Sequence, residues 1–305
     1  MSHAVVLTGF GGPEVLHWRE VPAPIAAPGE VLVRVRAAGV GPTDLTIRAG
    51  HLAKVFPQRA GAVLGFEAAG VVEQLGEGAT GASVGEEVAV YLPQQGGYGE
   101  LVAASVWFPK PAEVSWHAAA ALPASAEAAL GVLRQARVAA GDTVVVLGAA
   151  GSVGVIAVQL ARHWGARVIG AASERDADLI RDLGAKFVAY GDGVFDRVAL
   201  ITDRIDAVID VAGRGGMVEA VRATRDPSRV ITLADHAGAA ATGAVMSDPS
   251  PDRAPDALAV VMPLLANGTL RLKQNRAVPF ADAAEAHRLL ESGETRDKIV
   301  LTLDA

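Results

Sequence analysis

The chain of 305 residues contains no cysteine. Disulfides, thiolate nucleophiles and cysteine-ligated zinc are thereby excluded. Charge is sparse as well, at 20% against 51% hydrophobic residues, a balance that belongs to a globular chain and not to a disordered one. Positive charge is the scarcer sign: 27 Lys and Arg face 34 Asp and Glu, for a formal net charge of −7. No dense basic run relieves that balance, so nucleic acid is not an expected partner. No segment approaches the roughly 20 apolar residues that span a bilayer. The opening Met1-Ser2-His3-Ala4-Val5-Val6-Leu7 carries neither a basic segment nor a long apolar one and reads as a strand. The expectation is a soluble, cytoplasmic protein with no membrane partner. At this length it has about two lobes sharing a large core.

What is present is organised in two textures. The first hundred residues are β-rich. Pro28-Gly29 is a turn, after which Val31, Val33 and Val35 alternate with Leu32, Arg34 and Arg36 to give one buried face. Further strands are expected at 68–74 and 87–91, separated by glycine turns, and Gly96-Gly97-Tyr98-Gly99 marks another turn. Many short strands with such turns predict a partly closed barrel. At Trp116 the texture changes to alanine-rich helices over 117–126 and 128–138.

Strands and helices then alternate. Asp142-Thr143-Val144-Val145-Val146-Leu147 is a nearly continuous apolar run, as a strand buried on both faces requires. It enters Gly148-Ala149-Ala150-Gly151-Ser152-Val153-Gly154. Apolar residues at helical spacing follow, from Val153 through Ile156, Leu160 and Trp164, until Gly165 stops the helix. A second strand is Arg167-Val168-Ile169-Gly170-Ala171-Ala172. Glycine serves such a turn because the backbone must approach a pyrophosphate, with free amides at the helix N-terminus facing the anion. A glycine triplet alone often marks only a tight turn. The order strand, glycines, helix, strand makes it a dinucleotide site, with Gly148, Ala150, Gly151, Ser152, Val153 and Gly154 against the phosphates. Strands at 186–190, 206–211 and 229–233 complete an α/β pattern, a doubly wound parallel sheet. The stretch 237–255, rich in Ala, Gly, Asp and Pro, reads as a linker or mobile loop. Helices over 256–266 and 281–291 and a strand at 298–303 close the chain.

The end of the second strand bears on which nucleotide binds. NAD sites place Asp or Glu there, about 20 residues past the first glycine, to hold the ribose 2′-hydroxyl. This chain has Ala171-Ala172-Ser173-Glu174-Arg175 instead. The Ser173 hydroxyl and the Arg175 fork suit a 2′-phosphate, which points to NADP(H). Glu174, turned inward, either repels that phosphate or binds a plain ribose; otherwise it opens a solvated helix together with Arg175.

Four passages carry a family resemblance. They are Phe10-Gly11-Gly12-Pro13-Glu14-Val15-Leu16; Pro28-Gly29-Glu30-Val31-Leu32-Val33-Arg34-Val35 running on to Pro42-Thr43-Asp44; Leu64-Gly65-Phe66-Glu67-Ala68-Ala69-Gly70-Val71-Val72; and the glycine turn. With the closing Ala283-Ala284-Glu285-Ala286-His287-Arg288 and Lys298-Ile299-Val300-Leu301, the resemblance covers essentially the whole chain. It resembles a zinc-independent, zeta-crystallin-like quinone oxidoreductase of the medium-chain dehydrogenase/reductase superfamily. The resemblance implies a GroES-like β-rich catalytic domain over 1–115, an NADP-binding Rossmann domain over 116–247 and a segment over 248–305 that returns to the first. It further implies an active site in the cleft between the domains, a small-molecule quinone or enone substrate and a homodimer.

Zinc-dependent relatives carry Cys where Gly41 stands and His where Phe66 stands; neither remaining side chain can ligate metal. Quinone oxidoreductases have Asn at the position of Gly41, Tyr at those of Thr46 and Leu52, and Thr at that of Ala128. Each departure removes or shortens a polar group of the expected cleft. Thr43, at the position of the alcohol dehydrogenase proton relay, either hydrogen-bonds the substrate carbonyl or is a turn hydroxyl bonding its own backbone. His51 is either a proton source or a solvated loop residue. Asp44 reads as structural, paired with Arg48 one helical turn on. Tyr190 either matches a tyrosine that relatives place against the adenine or the 2′-phosphate or is an aromatic cap at a strand end, and Leu233 ends a strand beside the nicotinamide. Val40, Leu45, Leu52 and Phe56 give the cleft an apolar lining. The expected activity is NADPH-dependent hydride transfer to a quinone or an α,β-unsaturated carbonyl. Loss of so many polar groups keeps open an NADPH-binding sensor or structural protein with little catalysis.

Overall fold

The computed structural model describes residues 1–247 and 253–303. The chain divides into two compact units: Met1–Ala124 with Leu258–Asn267 and Lys273–Ala305, and Ser125–Ala257 with Gly268–Leu272.

The first unit is built on β1 (Ser2–Leu7), β2 (Leu16–Val21), β3 (Val31–Gly39), α1 (Pro42–Arg48), β4 (Ala62–Val63), β5 (Glu67–Leu75), β6 (Glu87–Tyr91), β7 (Leu101–Ala104), β8 (Val106–Pro109) and α2 (Trp116–Ala121). The axis is β3. It pairs antiparallel with β5 along one edge and with β7 along the first half of the other. Two register shifts against β5, at Leu32/Val33 and Val35/Ala37, bend the ladder as bulges do. Val31, Val33 and Val35 are buried and Arg34 and Arg36 exposed, as the alternation predicts, but Leu32, expected on the outer face, is buried too. Ala37, Ala38 and Gly39 are then buried in succession because α2 packs on β3 and β5. That contact places residues 116–124 in the first unit, whereas the change of texture at Trp116 puts them in the second.

The second unit runs through α3 (Pro123–Gln135), β9 (Thr143–Leu147), α4 (Ser152–His163), β10 (Arg167–Ala172), α5 (Ala177–Asp182), β11 (Lys186–Ala189), α6 (Val194–Ala199), β12 (Ala207–Asp210), α7 (Met217–Thr224), β13 (Val230–Thr232), α8 (His236–Thr242) and β14 (Val245–Met246). Its six strands are all parallel, in the order β11-β10-β9-β12-β13-β14. Numbered within the sheet this is 3-2-1-4-5-6, the dinucleotide-binding order. All five residues of β9 are buried, which explains the absence of alternation in its sequence.

The linker expected over 237–255 is corrected in its first part. Asp235 caps α8 by accepting a 2.8 Å bond from the Gly238 amide, and β14 follows as an edge strand. The run His236-Ala237-Gly238-Ala239-Ala240-Ala241 has no amphipathic pattern, so only the cap betrays the helix. Residues 248–252 of that stretch, and with them the start of the expected third segment, lie outside the described residues.

The chain then gives α9 (Ala257–Ala266), β15 (Asn275–Pro279), α10 (Ala283–Ser292) and β16 (Lys298–Thr302). β16 joins the second half of the free edge of β3, and β15 pairs parallel to β16. Residues 268–272 belong instead to the second unit, where the Gln159 side chain both donates to the Arg271 carbonyl and accepts from its amide, each at 2.9 Å. Among the described residues no helix is long and apolar enough to cross a membrane.

Of the glycines in the second unit, the one most closely approached by backbone is Gly154 at the start of α4. A Cβ on Gly154 would fall 2.3 Å from the Gly148 carbonyl oxygen and 2.8 Å from the Ala149 backbone. Neither can move as a flexible side chain would. Gly154→Ala is therefore expected to lower stability by about 1–3 kcal/mol, read as a shift of the urea midpoint; an unshifted midpoint would show that α4 can lift off the turn.

Candidate functional site

The carboxyl edge of the parallel sheet gathers most of the expected cofactor-binding residues. Gly148 leaves β9 at φ 84°, a conformation that only glycine adopts without strain, and its amide donates to the Ala171 carbonyl of β10 at 3.0 Å. Ala149 donates to the same carbonyl, and Gly151 donates back to Gly148, closing the turn. Val155 is the first residue of α4 to make the helical bond, to the Gly151 carbonyl. The amides of Ser152, Val153 and Gly154 thus have no acceptor among the described residues. Three unpaired donors in one turn, at the positive end of a 12-residue helix, are a fitting seat for an anionic group. Gly151 faces open space apart from the Gly148 oxygen, while Gly154 is crowded by backbone. One glycine therefore allows approach from outside and the other allows the helix to sit close.

Tyr190 follows β11, with its amide bonded to the Ala172 carbonyl at 2.8 Å. Its hydroxyl is buried without a hydrogen-bond partner among the described residues. Burial, and then the charge of Asp210, holds its pKa above the usual phenol value. Leu233 stands at the end of β13, its amide bonded to the Asp210 carbonyl at 2.9 Å. Ser173 and Arg175 lie exposed after β10, in a short 3-10 turn with Glu174. The Ser173 hydroxyl donates to Asp176 Oδ2 at 2.6 Å, so the donor expected for a phosphate is engaged within its own chain segment.

Sequence reading missed the residue that shapes this edge. Asp210, fully buried at the end of β12, accepts from the amides of Ala212 and Gly213 and from the Thr232 hydroxyl at 2.7 Å. Thr232 in turn accepts from the amides of Ala234 and Asp235. One carboxylate thereby fixes two adjacent strand-end loops. An acid ending an apolar strand was the only signal, and its side-chain partner Thr232 lies 22 residues away.

In the first unit, Thr43 is exposed near the start of α1 and its hydroxyl has no hydrogen bond among the described residues. Thr46, not Thr43, is the hydroxyl that bonds back to the helix, to the Pro42 carbonyl at 2.8 Å. His51 is exposed in the turn after α1. Leu45, Leu52 and Phe56 are partly buried, with Phe56 set edge-on to Phe66 at 5.5 Å between ring centroids. Val40 is 1% exposed and belongs to the core, not to a lining.

The expected Asp44–Arg48 pair is not formed. Asp44 folds back to accept from the Gly41 amide at 2.8 Å, the acidic half of a capping box. Arg48, also buried, donates to the Gly11 carbonyl, to Glu291 and, at 3.3 Å, to His287 Nδ1. An arginine can only donate, so His287 Nδ1 is the acceptor and Nε2 carries the proton. That proton points to the Tyr98 oxygen at 3.2 Å. Burial, and then the charge of Arg48, pushes His287 down to about 3. Burial raises Asp44 to about 6 against the bond from Gly41 and the charge of Lys298. Burial and the charge of Asp44 keep Tyr98 protonated well above its ordinary range. Close by, Lys298 Nζ meets Glu67 Oε1 at 2.6 Å, and Glu67 Oε2 accepts from the Ala124 amide. Gly39 makes room for this pair, since a Cβ there would overlap Glu67 and the Ala120 carbonyl. Among the described residues no group of three or more His, Asp or Glu is arranged to hold a metal ion.

Residues 27–107 match the family model of the alcohol dehydrogenase GroES-like domain, and residues 183–301 that of the zinc-binding dehydrogenase. The chain is 30% identical over 246 residues to the quinone oxidoreductase of Mus musculus, which takes in 76% of this chain and 73% of that protein. It is 38% identical over 190 residues to the 2-haloacrylate reductase of Burkholderia sp, 60% of this chain and 57% of that one. It is also 32% identical over 309 residues to the polyketide synthase GfsB of Streptomyces halstedii, 95% of this chain but 5% of that one. The chain spans 5–14% of the polyketide synthases it matches. An NAD-dependent alcohol dehydrogenase has a similar structure, with a TM-score of 0.84 at 28% identity over 99% of this chain and 100% of that one. Mycobacterial Rv1454c complexed with NADPH gives 0.81 at 27% identity over 99% and 100%. The chain is a medium-chain dehydrogenase/reductase, and within that superfamily it belongs with the quinone oxidoreductases.

The two perturbed groups beside α1 act on stability in opposite directions. Folded His287 takes a proton only near pH 3, against 6.5 for a free imidazole, so stability drops as pH falls through that window. Folded Asp44 holds its proton to about 6, against 3.8, so its contribution drops as pH rises from about 4 to 6. Wild type should therefore show a shallow net dependence between pH 7 and 5. His287→Gln, which keeps an acceptor for Arg48 and a donor for Tyr98, removes the first effect. Relative to wild type it should gain about 2 kcal/mol of unfolding free energy on going from pH 7 to pH 5. Parallel urea-midpoint curves for the two proteins would show that His287 is protonated in the fold.

Proposed function

We propose that the chain is an NADPH-dependent reductase of conjugated acceptors, either quinones or α,β-unsaturated carbonyls. The observation that carries this reading is the open turn at the start of α4, where three amides lack acceptors above a backbone contact that admits no side chain. The residues there fit a dinucleotide. Gly148, Ala150, Gly151, Ser152, Val153 and Gly154 would cradle the pyrophosphate, and Arg175 the 2′-phosphate, joined by Ser173 only where its hydroxyl is released from Asp176. Tyr190 would approach the adenosine end and Leu233 the nicotinamide. The NADPH complex of a structurally similar mycobacterial protein supports the choice of cofactor. The quinone oxidoreductase and 2-haloacrylate reductase relatives support the two classes of acceptor.

When bound, the cofactor supplies a hydride, and negative charge develops on the acceptor's carbonyl oxygen. The chain's part is to meet that charge with a fixed donor. Thr43 is the residue we assign to it, because its hydroxyl is exposed and uncommitted while that of Thr46 is tied to the helix. His51, exposed in the following turn, is the assigned proton source. No metal is assigned a role, since Gly41 and Phe66 offer no ligating side chain at the positions that ligate in zinc-dependent relatives.

Purified protein should consume NADPH with at least one member of a panel of quinones and enones. Thr43→Val should lower turnover at saturating NADPH by roughly 10²-fold, as loss of one oxyanion donor does elsewhere, with nucleotide affinity unchanged. An unchanged rate would remove Thr43 from the reaction. NADPH bound yet consumed with no acceptor would favour the sensor reading over the enzyme.

A further inference from the structure

The hydrogen bond between Ser173 and Asp176 bears on which dinucleotide the edge accepts, given the nucleotide reading above. The end of β10 is where such sheets meet the adenosine ribose. There the backbone turns at once, with the Asp176 amide donating to the Ser173 carbonyl at 2.9 Å. The side chains close the same loop, Ser173 Oγ donating to Asp176 Oδ2 at 2.6 Å. Asp176 occupies the cap position of α5, yet its carboxylate makes no capping bond to that helix. Its bond to Ser173 is therefore not a by-product of capping.

Two consequences follow for a phosphate at this position. A serine has one proton to donate, and in this geometry it is directed at a carboxylate. A phosphate must therefore break a charge-assisted bond to gain that donor. The second consequence is electrostatic. A 2′-phosphate carries nearly two negative charges at neutral pH, and it would stand within one residue's reach of Asp176. Within the segment 173–178 Arg175 is the single cation against Glu174, Asp176 and Asp178, and Asp178 is paired with Arg181 at 2.8 Å. A plain ribose 2′-hydroxyl meets neither obstacle, since it can donate to a carboxylate.

We propose that Asp176 is a specificity-determining residue, which withholds the Ser173 hydroxyl from a 2′-phosphate and keeps NADH usable beside NADPH. The carboxylate weakens NADP(H) binding and leaves NAD(H) binding untouched. Selectivity for the phosphorylated cofactor is thus held well below what Arg175 and Ser173 would otherwise provide.

Titration calorimetry of the full chain with NADP+ and with NAD+ tests this in a double-mutant cycle. Asp176→Ala should raise NADP+ affinity about tenfold, the size of a repulsion between a carboxylate and a phosphate dianion a few ångströms apart in water. NAD+ affinity should stay within about twofold. Asp176→Asn should move in the same direction, which guards against a defect peculiar to the alanine variant. Ser173→Ala should change NADP+ affinity less than about twofold in wild type, and remove several-fold of the gain in the Asp176→Ala background. The gain should also shrink as salt is raised. Equal shifts for both nucleotides, no shift in either variant, or a loss from Ser173→Ala as large in wild type as in Asp176→Ala, each overturns the role of Asp176. Failure of wild type to bind either nucleotide is a different result, and it overturns the nucleotide site itself.

Discussion

Helix α4 rests directly on the turn that precedes it, and the rest of the nucleotide edge depends on that approach of backbone to backbone. Gly154 has no room for a methyl group against the Gly148 oxygen and the Ala149 backbone. Because the helix can come so close, its first amides sit at the end of β9 and not a side chain's thickness away. The strand order then matters. With β10 on one side of β9 and β12 on the other, the chain leaves the centre of the sheet in both directions. In sheets of this order ligands bind beyond the carboxyl ends of the strands at that point. Asp210 holds the loops after β12 and β13 together at that edge.

A different kind of constraint governs the first unit. Its short helix α1 is surrounded by charges that are almost wholly removed from water: Asp44, Arg48, Glu67 and Lys298 are each 8% exposed or less. Buried charges persist only when they are paired and hydrogen-bonded. Glu67 is paired with Lys298, and Arg48 with Glu291 and His287, while Asp44 accepts from the Gly41 amide through Oδ2 and keeps its buried Oδ1 without a hydrogen-bond partner among the described residues. The segment carrying Thr43 is pinned on the inside by Asp44, while the Thr43 hydroxyl faces outward without a competing bond.

The charge distribution of the two candidate regions differs in a way that affects chemistry. Around α1 each cation is paired with an acid, Arg48 with Glu291 and Lys298 with Glu67. At the end of β10 the acids outnumber the cation, so a phosphate there encounters repulsion as well as the attraction of Arg175. The chain's overall charge of −7 points the same way. On the proposed reading, recognition of the cofactor would rest more on the uncharged amides of α4 than on side-chain cations.

Much of this was legible in the residues alone. The buried run of β9, the glycines after it and the helical spacing through Leu160 are local patterns, and local backbone preferences decide them. The alternation of β3 and the missing ligands at Gly41 and Phe66 are of the same kind. What a one-dimensional pattern does not encode is which distant atom a polar group meets. Arg48 lies at the right spacing for Asp44, yet it turns to His287 and Glu291, more than 200 residues away, because α10 packs beside α1. Ser173 reads as a phosphate donor until Asp176 is seen to hold its proton. Asp210 reads as the end of a strand until Thr232 is brought beside it by the sheet. Sequence determined the elements and the chemistry at hand, because propensity and periodicity are properties of neighbours along the chain. Tertiary structure alone decided which of those groups are already engaged and which remain free to act, because a hydrogen bond is set by distance in space.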